Sequence, residues 1–120
     1  MRDLPAHTAT QAGGAVTMTP TQLSLRLLRE NGYTCQIVEI WNPHARIRQD
    51  LFGIIDVLGL KGPETIAVQT TSVGNVSARV RKMNESPMLD VLRAAGWLVV
   101  VHGWAKERNR WTLKREVMLT

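Results

Sequence analysis

Hydrophobic and polar positions change period several times along this chain, and each change marks an element. Leu23, Leu27 and Leu28 form an apolar stripe at helical spacing. Before them, Thr19 suits the N-cap, Pro20 the first helical position, and Gln22 completes a capping box. Asn31-Gly32 tolerates left-handed backbone and closes this helix. Tyr33 to Trp41 is rich in β-branched and aromatic residues and predicts a strand. Asn42-Pro43 ends that strand, and a polar, basic loop runs through Asp50. Leu51 to Leu60 (LFGIIDVLGL) and Thr65 to Thr71 (TIAVQTT) predict two further strands, joined by the turn Lys61-Gly62-Pro63-Glu64. Strands this apolar belong in a sheet covered on both faces.

Val76, Val80 and Met83 recur at i, i+4 and i+7, predicting a helix capped by Asn75, and a second short helix runs from Ser86-Pro87 to Gly96. Trp97 to Trp104 (WLVVVHGW) reads as a buried strand. Arg110 to Leu119 reads as a half-exposed one, with Trp111, Leu113, Val117 and Leu119 on one face. The order is helix, three strands, helices, strand, strand. It predicts a single α/β domain over residues 19–120, behind a flexible lead-in over residues 1–18.

Composition narrows the class. A chain of 120 residues holds one core, and its 44% hydrophobic and 21% charged residues are those of a globular domain. Fifteen Lys and Arg against ten acidic residues give a net charge of +5. With a pI of about 10.1, a nucleic-acid partner becomes a fair expectation beside a merely basic protein. Cys35 is the only cysteine, so an intrachain disulfide is excluded, and a reducing, cytoplasmic setting is expected. No apolar run is long enough to span a membrane, and the N-terminal segment lacks the apolar stretch of a secretory signal.

Asp56 and Gln69 are the two polar interruptions of otherwise apolar strands, thirteen positions apart (69 − 56). A lone buried carboxylate costs several kcal/mol, so Asp56 is expected to be paired, protonated or bound to a cation. Adjacent antiparallel strands joined by the turn would bring Asp56 and Gln69 to one spot on one face. Two oxygen donors there would suit Mg²⁺ or Mn²⁺. The alternative is a carboxylate that accepts hydrogen bonds from turn amides or from an arginine.

A second group is basic. Arg46 and Arg48, with His44 beside them, lie in the loop before the Asp56 strand. Arg79, Arg81 and Lys82 follow the Gln69 strand, with Arg79 and Lys82 sharing a helix side. Ser72, Gly74 and Asn75 are placed to offer amides to a phosphate. These residues are the expected DNA contacts, against the alternative of an ordinary solvated face. Trp41, Trp97, Trp104 and Trp111 read as packing residues, Cys35 as a buried thiol rather than a nucleophile, and His102 as a hydrogen-bonded strand residue.

The arrangement helix–strand–strand–strand–helix–strand resembles the PD-(D/E)XK, or restriction-endonuclease-like, superfamily. It has an aspartate on the second strand and a polar pair on the third. It looks most like the small phage and archaeal Holliday-junction resolvases, over roughly residues 20 to 104. The resemblance implies an αβββαβ core with a mixed central sheet flanked by helices, and a Mg²⁺- or Mn²⁺-dependent endonuclease acting on branched or duplex DNA. It also implies a two-fold dimer in a prokaryotic or phage-infected cell. Asp56 takes the family aspartate's role; Gln69 stands where the family has glutamate and Thr71 where it has lysine. These three are the implied catalytic residues, and Asp56, Gln69 and Asp50 the implied metal set, with Asp50 supplying the charge that Gln69 lacks. Thr21 is nearest to the glutamate that resolvases often carry in the first helix, and Arg79 or Lys82 are the basic residues placed to stand in for the lysine. Two alternatives remain beside the enzyme. One is an inactive DNA-binding module of the same fold. The other is a protein-interaction or inhibitor domain pairing through its last strand.

Overall fold

A computed structural model describes residues 2–4, 7–8 and 18–120 of the chain. Its strands and helices follow in the order β1 (Arg2–Leu4), β2 (His7–Thr8), α1 (Pro20–Glu30), β3 (Thr34–Ile37), β4 (Ile40–Asn42), β5 (Ile47–Gln49), β6 (Val57–Lys61), β7 (Glu64–Ser72), α2 (Val76–Glu85), α3 (Pro87–Ala94), β8 (Leu98–Glu107) and β9 (Arg110–Met118). The sheet runs β1-β9-β8-β7-β6-β3, with β2 also on β9. It is mixed, since β7 and β8 are parallel while every other pair in it is antiparallel. The domain is therefore α/β with a mixed sheet and helices on both faces. No helix among the described residues is long and apolar enough to cross a membrane.

Local chemistry accounts for the first helix as the sequence predicts. Thr19 Oγ1 accepts from the Gln22 amide at 3.2 Å, and Gln22 Oε1 accepts from the Thr19 amide at 3.1 Å. Gly32, at φ 89°, takes the left-handed position that ends it. The tight β6–β7 turn likewise has Gly62 at φ 57°.

Strand alternation divides the core. Val57, Ile66, Val68, Val100 and Trp104 pack beneath α1 with Leu23, Leu27 and Leu28. Ala67, Val99, Val101 and Val117 pack on the opposite face beneath α2 and α3, with Val76, Val80, Met83, Leu89 and Leu92. Gly103 lies under the start of α2, where a Cβ would overlap Val76 Cγ2 and lie 3.3 Å from the Val73 backbone. Only a residue without a side chain lets α2 sit this close to β8.

Four expectations from the sequence are revised. The strand read over Tyr33 to Trp41 breaks after Ile37, and its second half pairs with β5 in a separate ribbon. Leu51 to Asp56 is a turn, closed by the Leu51 amide on the Ile55 carbonyl at 2.9 Å, with Phe52 and Gly53 at φ 54° and 77°. β9 does not keep its apolar residues on one face. A bulge opposite Gly103/Trp104 shifts its register, so Leu113 faces α1 while Val117 faces α2 and α3. Nor is β9 a free edge, because β1 and β2 cover it. Those two short strands fall within the stretch read as a flexible lead-in; the rest of residues 1–17 lies outside the described residues.

His102 is a hydrogen-bonded strand residue, as expected, and its partners form a buried relay. Trp104 Nε1 donates to Ser24 Oγ at 2.9 Å, and Ser24 Oγ is hydrogen-bonded to His102 Nδ1 at 2.8 Å. On the other side of the ring, Nε2 is hydrogen-bonded to Glu116 Oε2 at 2.8 Å. Serine, histidine and glutamate are in line, yet Ser24 and His102 are both fully buried, which denies the hydroxyl any substrate. The relay is structural. Ser24→Ala would strand two buried polar atoms, each worth about 1–3 kcal/mol. A loss of about 2–4 kcal/mol is expected in urea unfolding, and a variant as stable as the parent would show that water replaces the hydroxyl.

Candidate functional site

The site forms where β6 leaves the sheet. The last β6–β7 rung is Val57 opposite Val68, and one step further the Asp56 amide still donates to the Val68 carbonyl at 2.8 Å. On its other side the Asp56 carbonyl accepts from the Val38 amide at 2.8 Å. Beyond this point the chain turns away, and the Thr70 amide of β7 has no β6 backbone partner. The Asp56 carboxylate takes that amide instead, Oδ2 accepting from Thr70 N at 2.8 Å and from Thr70 Oγ1 at 3.1 Å. Because Thr70 Oγ1 donates to Asp56, it accepts from Thr21 Oγ1 at 2.9 Å. Thr21 thus supports the aspartate through a threonine.

Glu39, Asp50 and Asp56 converge here, each offering a carboxylate oxygen within 4.8 Å of the others. Asp56 is only 4% exposed. Its carboxyl is pushed up to about 7, first by burial and then by its hydrogen bond with Asp50 and the charges of Asp50 and Glu39; the Thr70 amide pulls the other way. Three hard oxygen donors that resist sharing negative charge match the ligand chemistry of Mg²⁺ or Mn²⁺. Glu39 was missed in the sequence, although an acid inside the apolar run Ile37 to Trp41 is the same signal that singled out Asp56.

Gln69 stands opposite Asp56, but the two side chains are not bonded to one another. Its Nε2 donates to the Ile54 carbonyl at 2.6 Å and to Asp50 Oδ2 at 3.2 Å, and its Oε1 accepts from Arg79 Nη1 at 2.6 Å. A guanidinium only donates and a carbonyl only accepts, so the amide has one orientation. Gln69 therefore presents nitrogen, not oxygen, to the acids. It connects Asp50 to Arg79 rather than completing the ligand set expected of it. Thr71 is buried and makes no side-chain hydrogen bond among the described residues.

The basic residues divide. Arg79 is half-buried at the rim and committed to Gln69, whereas Arg81 and Lys82 are exposed. Arg79 and Lys82 lie three apart on α2, as expected, but differ in exposure. Asn75 occupies the N-cap of α2 without a side-chain capping bond, its Nδ2 donating to Ser72 Oγ at 2.9 Å. Arg46 and Arg48 project from the β4–β5 ribbon, and Arg48 Nη1 lies 2.8 Å from Glu39 Oε1. The tryptophans divide as well. Trp104 is wholly buried, Trp97 packs against Phe52 with ring centroids 6.0 Å apart, and Trp111 is half-buried, but Trp41 is 57% exposed, against expectation. No model of a known protein family matches this sequence, and no curated protein matches it either.

Proposed function

We propose that this chain is a divalent-cation-dependent DNA endonuclease of the restriction-endonuclease-like kind, with Glu39, Asp50 and Asp56 as its ligand set. The observation that carries the reading is the convergence of three carboxylates, one of them buried, at the end of two central strands. The strand order supports it: an antiparallel β3-β6-β7 meander, a helical crossover, and β8 parallel to β7. So does the net charge of +5, which suits a polyanionic substrate. A bound cation would supply Lewis-acid polarisation of a phosphodiester.

The chain's own residues do the rest. Thr70 and Thr21 fix the Asp56 carboxylate. Arg79 sets a positive charge beside the acids, through Gln69, and stands in for the lysine that Thr71 replaces. Arg48 neutralises Glu39 and is the first cation a phosphate would meet from the β4–β5 side. Arg46, Arg81, Lys82 and Asn75 are the outlying phosphate contacts. Hydrolysis adds one water across a P–O bond, leaving a phosphate monoester and a hydroxyl.

The test is incubation of the purified protein with junction, flapped, nicked and linear DNA in Mn²⁺ and in EDTA. Cutting in Mn²⁺ alone is the expected result, with binding that weakens steeply as salt rises. DNA bound but left intact in Mn²⁺ and Mg²⁺ would reduce the reading to a binding module, which the absence of a Glu-x-Lys pair favours. In the adaptor reading, pairing through the last strand would have to compete with β1 and β2, which pair with β9.

A further inference from the structure

The β4–β5 ribbon continues outward from the carboxylates, and its register decides what it presents. Ile40 pairs with Gln49, Trp41 with Arg48 and Asn42 with Ile47. One step inward, that register sets Glu39 opposite Asp50. Opposed residues share a face and successive ones alternate. Trp41 and Arg48 therefore lie on the same face as the Glu39–Asp50 acid pair, two residues further out, or roughly 7 Å along the strand. Ile40 and Ile47 occupy the reverse face.

Trp41 is 57% exposed, although burying such a ring is worth about 2–3 kcal/mol. Around it lie Arg48, whose side chain is 68% exposed, and Arg46 at the ribbon's tip. A flat aromatic surface among cations, on the ligand-bearing face, has the chemistry of a base-stacking platform between phosphate contacts. Bases inside an intact duplex offer no free face, whereas unpaired ones do.

We infer that the β4–β5 ribbon receives unpaired nucleotides, Trp41 stacking on a base while Arg46 and Arg48 hold the flanking phosphates. The substrate class of the site is then DNA with single-stranded nucleotides beside the target phosphodiester, as in a flap or a branch. The inference rests on the reading above that the carboxylate site acts on DNA.

Binding of a labelled flapped duplex and of the same sequence fully paired, measured by fluorescence anisotropy in Ca²⁺, tests it. Trp41→Ala should weaken flap binding by about 10–100-fold, the usual worth of one stacked base, and leave the paired duplex within about twofold. Trp41→Phe should recover most of the loss. Trp41→Ala binding flaps like the parent, or losing both substrates equally, would overturn the inference. So would sedimentation showing that Trp41 instead holds a second copy of the chain. Two further outcomes separate this inference from the enzyme reading. Trp41-dependent flap binding without cutting in Mn²⁺ would end the enzyme reading alone. Cutting that is indifferent to Trp41 would end this inference alone. A parent protein that binds no DNA would end both.

Discussion

Asp56→Asn is expected to abolish DNA cutting in Mn²⁺ while leaving DNA affinity within about twofold, since the carboxylate bonds Thr70 and none of the arginines and lysines expected to hold phosphates. The substitution keeps the shape of the site. An amide oxygen still accepts from Thr70 N and Thr70 Oγ1, and the new NH₂ can donate to Asp50. What disappears is the buried anionic donor, so Mn²⁺ affinity should fall by at least about 100-fold, more than the loss of a supporting contact around a metal usually costs. Calorimetric titration measures this directly. Parent and variant binding Mn²⁺ equally well would remove Asp56 from the ligand set.

The same variant carries a stability signature of opposite sign. Asp56 has its carboxyl raised to about 7 in the folded protein, against about 4 in an unfolded chain. A raised acid favours the folded state while protonated. That contribution is complete below pH about 4 and is lost as pH rises through about 7. The metal-free parent should therefore melt lower at pH 8 than at pH 6, and Asp56→Asn, with nothing to ionise there, should lose less over that interval. Mn²⁺ should remove the parent's deficit, because a cation favours the ionised carboxylate. A parent whose melting temperature rises from pH 6 to pH 8 without metal would contradict the assigned environment of Asp56.

The helices and the β6–β7 hairpin were legible because their signals are local. The Thr19–Gln22 box, the Gly62-Pro63 turn and the Val76, Val80, Met83 stripe each act within a few residues. The breaks were not legible, because their causes are distant. β3 ends where its partner β6 does, the last bond between them running from the Val38 amide to the Asp56 carbonyl, eighteen positions on (56 − 38). The turn at Phe52-Gly53 needs a phenylalanine at positive φ, which nothing in its neighbours announces. The β9 bulge is invisible to a period-2 reading, since Leu113 and Val117 have the same parity and yet face opposite ways. In the site, an unpaired carboxylate in an apolar run identified Asp56, and the same rule applied to Glu39 would have found it. The direction of the Gln69 amide depended on Arg79 and Ile54, neither of which the strand pattern connects to it.

That direction makes Gln69→Glu the sharpest test of how the site departs from the Glu-x-Lys pattern. Restoring glutamate looks like a repair from the sequence alone. In the folded protein it replaces an NH₂ that donates to the Ile54 carbonyl and to Asp50 with an oxygen that faces both. Two hydrogen bonds are lost, a carbonyl is left bare, and a fourth carboxylate joins the three already converging there. Only the Arg79 contact survives, and it becomes an ion pair. The expected result without metal is a loss of about 2–4 kcal/mol at pH 8, read by urea unfolding. Lower pH should relieve part of it, because protonating one carboxyl restores a donor. Mn²⁺ should relieve most of it, since a cation at Glu39, Asp50 and Asp56 would turn the added carboxylate from a repelled neighbour into a further ligand. Adding Thr71→Lys should then help only in Mn²⁺, because its ammonium would enter a buried strand position that has no anion of its own. Equal destabilisation of Gln69→Glu with and without Mn²⁺ would place position 69 outside any coordination sphere, its amide serving solely to connect Asp50 to Arg79.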